Sequence, residues 1–190
     1  MVGAVLTQNT AWVNVERSIA NLKAAGRLGS PEAIVRARRD SLARWLRPSG
    51  YFNVKATRVR ALCRWIIAQG GLRKLVRVST SVLREALLKV HGVGPETADD
   101  IVLYAFNRPV FVIDAYTRRL FSRLGIIKGD EPYEALRSMF ENGLRSDTSL
   151  FNEYHALIVF HAKHICRGRR PLCERCCLSK RCRFQVSHAG

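Results

Sequence analysis

Four cysteines near the C-terminus stand at the spacing Cys166-x6-Cys173-x2-Cys176-x5-Cys182. Thiolates crowded in this way read as metal ligands, for either a four-iron cluster or a tetrahedral zinc. The spacing is unlike the paired C-x2-C units of most zinc modules. Arg167, Arg169 and Arg170 lie between the first two cysteines, where a stapled loop presents them outward, either to phosphates or simply to water. Upstream, Asp114 follows the apolar run Val110-Phe111-Val112-Ile113 and precedes a helix expected over Ala115 to Leu124. A carboxylate at that N-cap is held ionised by the helix dipole. It is either a structural cap or a fixed anion able to stabilise positive charge and to orient or deprotonate water. Further upstream, Gly92-Val93-Gly94 leads into Pro95. The glycines permit a tight turn and close backbone approach, and proline opens a new helix whose free amides form an anion site. An ordinary helix–turn–helix corner would look the same.

The elements that position these residues read as helices throughout. Asn9 or Thr10 can cap a helix running to about Ala24, and Ser30-Pro31-Glu32 is a strong start signal. Asp40 can cap a short helix carrying Leu42, Trp45 and Leu46. Asn53 can cap a longer one with Val59, Leu62, Cys63, Ile66 and Ile67 on one face, ended by Gly70-Gly71. Leu83, Ala86, Leu87 and Val90 form the next stripe, followed by a helix over about residues 95–106. Two more are expected over about 133–144 and 150–165. Only residues 109–113 look extended, and they are too few to build a sheet. Cys63 falls on a core face, and Cys177 is an extra thiol. Both read as structural.

Lys and Arg outnumber Asp and Glu by 32 to 15, a net charge of +17, while 47% of residues are hydrophobic. A folded chain this basic points to a polyanionic partner, and nucleic acid fits best. An anionic membrane fits less well, because no long basic amphipathic helix is evident. No segment has the length of a transmembrane helix, and the start lacks the features of a signal peptide. These readings place the protein inside the cell, where thiols stay reduced.

Residues 87–104, with Val90-His91-Gly92-Val93-Gly94-Pro95-Glu96-Thr97-Ala98 at their centre, resemble the helix-hairpin-helix of the endonuclease III (HhH-GPD) superfamily of DNA glycosylases. Pro109 to Asp114 occupies the place of that family's Gly/Pro loop and catalytic aspartate, and the cysteine spacing matches its [4Fe–4S] loop position for position. The resemblance spans essentially the whole chain. It implies an all-α fold. One helical domain covers residues 1–113 and contains the hairpin at about 83–106. A second covers 114–190 and carries a [4Fe-4S] loop at 166–182, with a cleft between the two that has Glu96 and Asp114 at its mouth.

The resemblance also implies roles. Asp114 is the catalytic carboxylate, and Cys166, Cys173, Cys176 and Cys182 hold the cluster. Gly92, Val93, Gly94 and Thr97, together with Arg167, Arg169 and Arg170, meet the DNA backbone. Gln8 or Asn9 fills the gap left by a flipped base, although Asn9 or Thr10 acting as a plain helix cap explains the same residues. The family's bifunctional members carry a lysine immediately before Thr-Ala in the hairpin, and here that position is Glu96, which cannot form an imine. Lys55 or Lys89 are the nearby alternatives, without support from spacing. The stretches LTQNTAW and GPETADDIVLYAFNRPVFVIDAYTRR resemble the subgroup associated with 3-methyladenine, in which Tyr116 lines the base pocket unless it is simply a core aromatic. Fuller members carry residues ahead of this chain's start, including aromatics that stack on the base.

The expectation is a monomeric, monofunctional glycosylase acting on double-stranded DNA that contains a damaged base. It would be cytoplasmic, prokaryotic and nucleoid-associated. The rival readings are a uracil or thymine mismatch glycosylase, a bifunctional glycosylase/AP lyase, and a non-catalytic sensor of damage or redox state.

Overall fold

The computed structural model describes residues 1–186. Among them there are helices and no strands, and the chain divides into two compact units, Met1–Phe106 and the residues from Asn107 onward. In the first unit the helices are α1 (Val2–Thr7), α2 (Trp12–Ala24), α3 (Pro31–Val35), α4 (Arg39–Leu46), α5 (Phe52–Ala68), α6 (Leu72–Leu75), α7 (Thr80–Leu88) and α8 (Pro95–Asp100). A single π turn, Ile101–Ala105, continues α8. In the second unit they are α9 (Ala115–Leu124), α10 (Tyr133–Gly143), α11 (Thr148–His164) and α12 (Arg183–Val186). No helix among the described residues is long and apolar enough to cross a membrane.

The core of the first unit gathers around α5, whose Val59, Leu62, Cys63 and Ile66 are buried against α1, α3 and α4. Ile67, expected on the same face, is instead 38% exposed. It lies one residue past the inward row, where the 3.6-residue period has turned the side chain out. Burial pushes the Cys63 thiol up to about 11, with Glu32 adding to the shift, and at that value the sulfur is an inert core group.

Three expected caps differ from those observed. α2 starts at Trp12 with Ala11 at its N-cap and no side-chain cap. Asn9 instead takes a left-handed conformation (φ 54°) in the turn closed by Thr10 N donating to Thr7 O. α4 is preceded by Arg38, with Asp40 in the first turn rather than at the cap. α5 follows Gly50 (φ 68°) and Tyr51 (φ 44°), which reverse the chain after the 3-10 turn Arg47–Ser49 and leave Asn53 inside the helix. Ser30 caps α3 as expected, accepting from Ala33 N at 3.2 Å. Asp147 caps α11, which begins at Thr148, two residues earlier than expected.

Residues 107–113 are extended and have no partner strand. Their backbone is satisfied by side chains of α10. Phe111 N donates to Glu141 Oε1 at 2.9 Å, and Ile113 N donates to the Tyr133 hydroxyl at 3.3 Å. Arg137 holds Glu141 in place through contacts of 2.7 and 3.0 Å. The Phe111 ring stacks on Phe140 at 4.5 Å and meets Phe151 edge-on. Buried amides that lack a ladder need such partners, and here they fix the residues leading into Asp114.

Candidate active site and cysteine loop

Asp114 stands at the N-cap of α9, the position inferred for it from the sequence. Its Oδ1 accepts from Thr117 N at 2.7 Å and from Thr117 Oγ1 at 2.9 Å. Its Oδ2 lies 3.5 Å from His155 Nε2, on α11. Burial on its own would raise the Asp114 pKa. The contact with His155 and the two Thr117 hydrogen bonds outweigh that cost and hold the group below the ordinary aspartate value. The result is a largely enclosed carboxylate that stays ionised at neutral pH, with one oxygen anchored.

In the first unit α7 ends at Leu88, and the chain turns through Gly92 (φ 82°) to Gly94, the N-cap of α8. Gln8 ties this turn to the end of α1. Its Nε2 donates to Gly92 O at 3.0 Å and to Thr97 Oγ1 at 2.9 Å, while its Oε1 accepts from Arg58 Nη1 on α5. The side-chain amide of Gln8 is thus engaged inside the unit, whereas Asn9 is exposed. Behind the turn, Arg84 and Asp99 form a bidentate pair at 2.6 and 3.1 Å that joins α7 to α8.

A Cβ on Gly92 would lie 2.2 Å from Arg58 Cγ, and Arg58 is itself pinned by Gln8. Gly92→Ala therefore meets both a left-handed backbone and a crowded neighbour. It is expected to lower unfolding stability by about 2 kcal/mol, measurable by thermal or urea denaturation. An unchanged midpoint would show that the turn relaxes freely.

Glu96 is exposed in the first turn of α8. Lys55 is 1% exposed, and its ammonium is consumed by the carbonyls of Leu6 (2.9 Å) and Ser49 (2.6 Å). Burial, with Arg58 adding, lowers its pKa. It is a structural cation closing the C-terminal end of α1. Lys89 is exposed on the residue that ends α7.

In the second unit Cys166, Cys173, Cys176 and Cys182 line one recess, together with apolar Leu120, Ile165 and Phe184. Cys177 is exposed and outside that lining. Among the described residues no group of three or more His, Cys, Asp or Glu side chains is placed to hold a single metal ion. Two arginines of α9 grip the loop. Arg119 donates to Cys166 O (3.0 Å) and Ala162 O (2.9 Å). Arg123 donates to Cys166 Sγ (3.3 Å), to Arg167 O (2.6 Å) and to Gly168 O (3.0 Å). Cys176 Sγ sits 3.4 Å from His161 Nε2. Arg167, Arg169 and Arg170 are exposed along the loop. Tyr116 is half-buried, with Arg119 and Lys163 over its ring at 5.2 and 5.8 Å.

The structure thus brings Gln8, Gly92 and Thr97 together in one unit and gathers the four cysteines around one recess in the other. Sequence reading passed over Thr117, His155, Arg58 and Arg123. Thr117 carried a usable signal, an acceptor-capping Asp followed three residues later by a hydroxyl. The others act across long separations that no local pattern reveals.

A family model described as the HhH-GPD superfamily base excision DNA repair protein matches residues 2–146. A protein of Methanocaldococcus jannaschii named as a DNA repair glycosylase is 44% identical over 188 residues, covering 95% of this chain and 84% of its own length. Endonuclease III of Thermotoga maritima is 29% identical over 187 residues, covering 97% and 81%. Among solved structures, the 3-methyladenine DNA glycosylase of H. pylori bound to 1,N6-ethenoadenine superposes with a TM-score of 0.76 at 32% identity, covering 85% of this chain and 82% of that one. An endonuclease III–DNA complex superposes at 0.84 with 22% identity, covering 99% and 83%. The all-α architecture seen here is the fold those structures share. The chain belongs to the HhH-GPD superfamily of base excision DNA repair proteins, as one of its DNA glycosylases.

Proposed function

We propose that this chain is a monofunctional DNA glycosylase that hydrolyses the N-glycosidic bond of a flipped, alkylated purine in duplex DNA, 3-methyladenine foremost. The observation that carries the reading is Asp114, an enclosed carboxylate kept ionised at a helix start, in a chain whose hairpin offers Glu96 in place of an amine. Departure of the base leaves a sugar with cationic character. A fixed carboxylate stabilises that charge and orients the water that replaces the base. An alkylated purine already carries positive charge and leaves readily, so no strong general acid is required. The 32% identity to a glycosylase whose bound ligand is 1,N6-ethenoadenine supports a purine substrate.

The hairpin Gly92-Val93-Gly94, with Thr97, supplies phosphate contacts, and Arg167, Arg169 and Arg170 add others from the cysteine loop. Asn9, exposed on a left-handed backbone, is better placed than Gln8 to enter the gap left by the flipped base. Tyr116 borders the base pocket, with two cations over its ring. Cys166, Cys173, Cys176 and Cys182 hold a [4Fe-4S] cluster. Four thiols around an apolar recess suit a multi-atom cluster, and when bound the cluster serves as a structural staple. The protein acts as a monomer in the cytoplasm, associated with the nucleoid through DNA.

The test is a base-release panel on duplexes bearing 3-methyladenine, U·G or T·G, with and without alkali. Release of 3-methyladenine, with strand breaks appearing only after alkali, is the expected result. Release of uracil or thymine alone would make it a mismatch glycosylase. Strand breaks without alkali, with a borohydride-trapped covalent adduct, would make it a lyase. Binding without release of any base would make it a sensor.

A further inference from the structure

We propose that His155 is a positioning residue for Asp114, its buried imidazole holding the Oδ2 oxygen so that the carboxylate presents one fixed face to the sugar. The inference rests on the assignment of Asp114 as the catalytic carboxylate and adds a residue to that same site. Both Thr117 hydrogen bonds fall on Oδ1. A carboxylate pinned at one oxygen can still swing its other oxygen, and Oδ2 faces His155 Nε2 at 3.5 Å. That distance exceeds an ordinary N–H···O bond. Catalytic contacts are commonly long in the free enzyme and shorten when substrate arrives.

His155 is itself held rigidly. It is 7% exposed on α11, its ring meets Phe111 edge-on at 6.5 Å, and α11 packs along α9, the helix that Asp114 caps. The surroundings are aromatic: Phe111, Phe140, Phe151 and Tyr154 contact one another there. Packing alone would be served equally well by a leucine or phenylalanine. A polar ring in such a place carries a desolvation cost that a hydrogen-bonding task offsets.

The test compares His155→Leu, His155→Gln and His155→Asn with Asp114→Asn in single-turnover excision of the lesion that the base-release panel identifies. Binding to the same lesion duplex is measured alongside. The Leu variant is expected to excise about 10²-fold more slowly while its Kd stays within about threefold. Gln, whose Nε2 reaches the imidazole Nε2 position, should recover most of the rate. Asn, whose amide stops short of it, should not. Should the Leu variant fail to fold by circular dichroism, the Gln–Asn contrast decides. Wild-type rates in the Leu variant, or equal losses in Gln and Asn, would overturn the role of His155. If Asp114→Asn excised at the wild-type rate, the assignment of Asp114 itself would fall, which keeps the two failures apart.

Discussion

Asp114→Asn is expected to cut base excision by at least about 10³-fold while leaving the fold and DNA affinity near the wild type. The amide oxygen of asparagine can still accept from Thr117 N, so α9 keeps its cap. What disappears is the negative charge. A barrier increase on the order of 4 kcal/mol corresponds to that factor, and it is reasonable for an anion that works in an enclosed site of reduced dielectric. The same geometry sets the sign of the pH dependence. The Asp114 pKa in the folded chain lies below its ordinary value. Its contribution to stability is therefore present above the ordinary aspartate range and is lost as pH falls through the lowered value. An acid limb of excision assigned to this group should lie below the ordinary carboxylate range. Single-turnover rates against pH, with folding monitored in parallel, check both statements.

Cys166→Ser is expected to give a colourless protein without iron or inorganic sulfide, one that binds DNA more weakly. Cys166 is the most buried of the four cysteines, and its carbonyl and sulfur are already bonded by Arg119 and Arg123. The other three sit on a stretch with only two short 3-10 turns and no buried apolar side chain between Arg167 and Arg183. Such a segment has no hydrophobic core of its own, and under the proposed cluster assignment ligation adds the order that the Arg119 and Arg123 contacts alone would not supply. Without ligation, Arg167, Arg169 and Arg170 lose their fixed arrangement. Each phosphate contact contributes about 0.9 to the slope of log affinity against log salt, so the slope should shrink by roughly 2 to 3. Limited trypsin digestion should cut within residues 167–181. A zinc-loaded, colourless wild type would overturn the cluster assignment, and an unchanged salt slope would remove the loop from the DNA contacts.

Much of this architecture was legible because its signals are local. Helix α9 has the bounds read from the sequence, since Asp114 starts it and Gly125 (φ 79°) ends it. The same holds for the start of α3, where Ser30 precedes proline. The caps of α2 and α5 were misread because Asn9, Gly50 and Tyr51 take left-handed conformations just ahead of those helices, and that of α4 because the helix starts one residue before Asp40, after an extended Arg38. The four cysteines that line one recess stood out in the sequence by their crowding. His155 was not, being one histidine in an apolar helix forty-one positions after Asp114. Nor was the engagement of Gln8, which depends on Arg58 and on a glycine eighty-four residues away.

The buried ammonium of Lys55 carries a consequence for chemical labelling. The other lysines of the chain are exposed, so an amine-acylating reagent will modify them quickly and leave this one untouched while Leu6 and Ser49 enclose it. Slow acylation at that single position then records how often the first unit breathes open, a clock internal to the molecule that needs neither substrate nor iron to run.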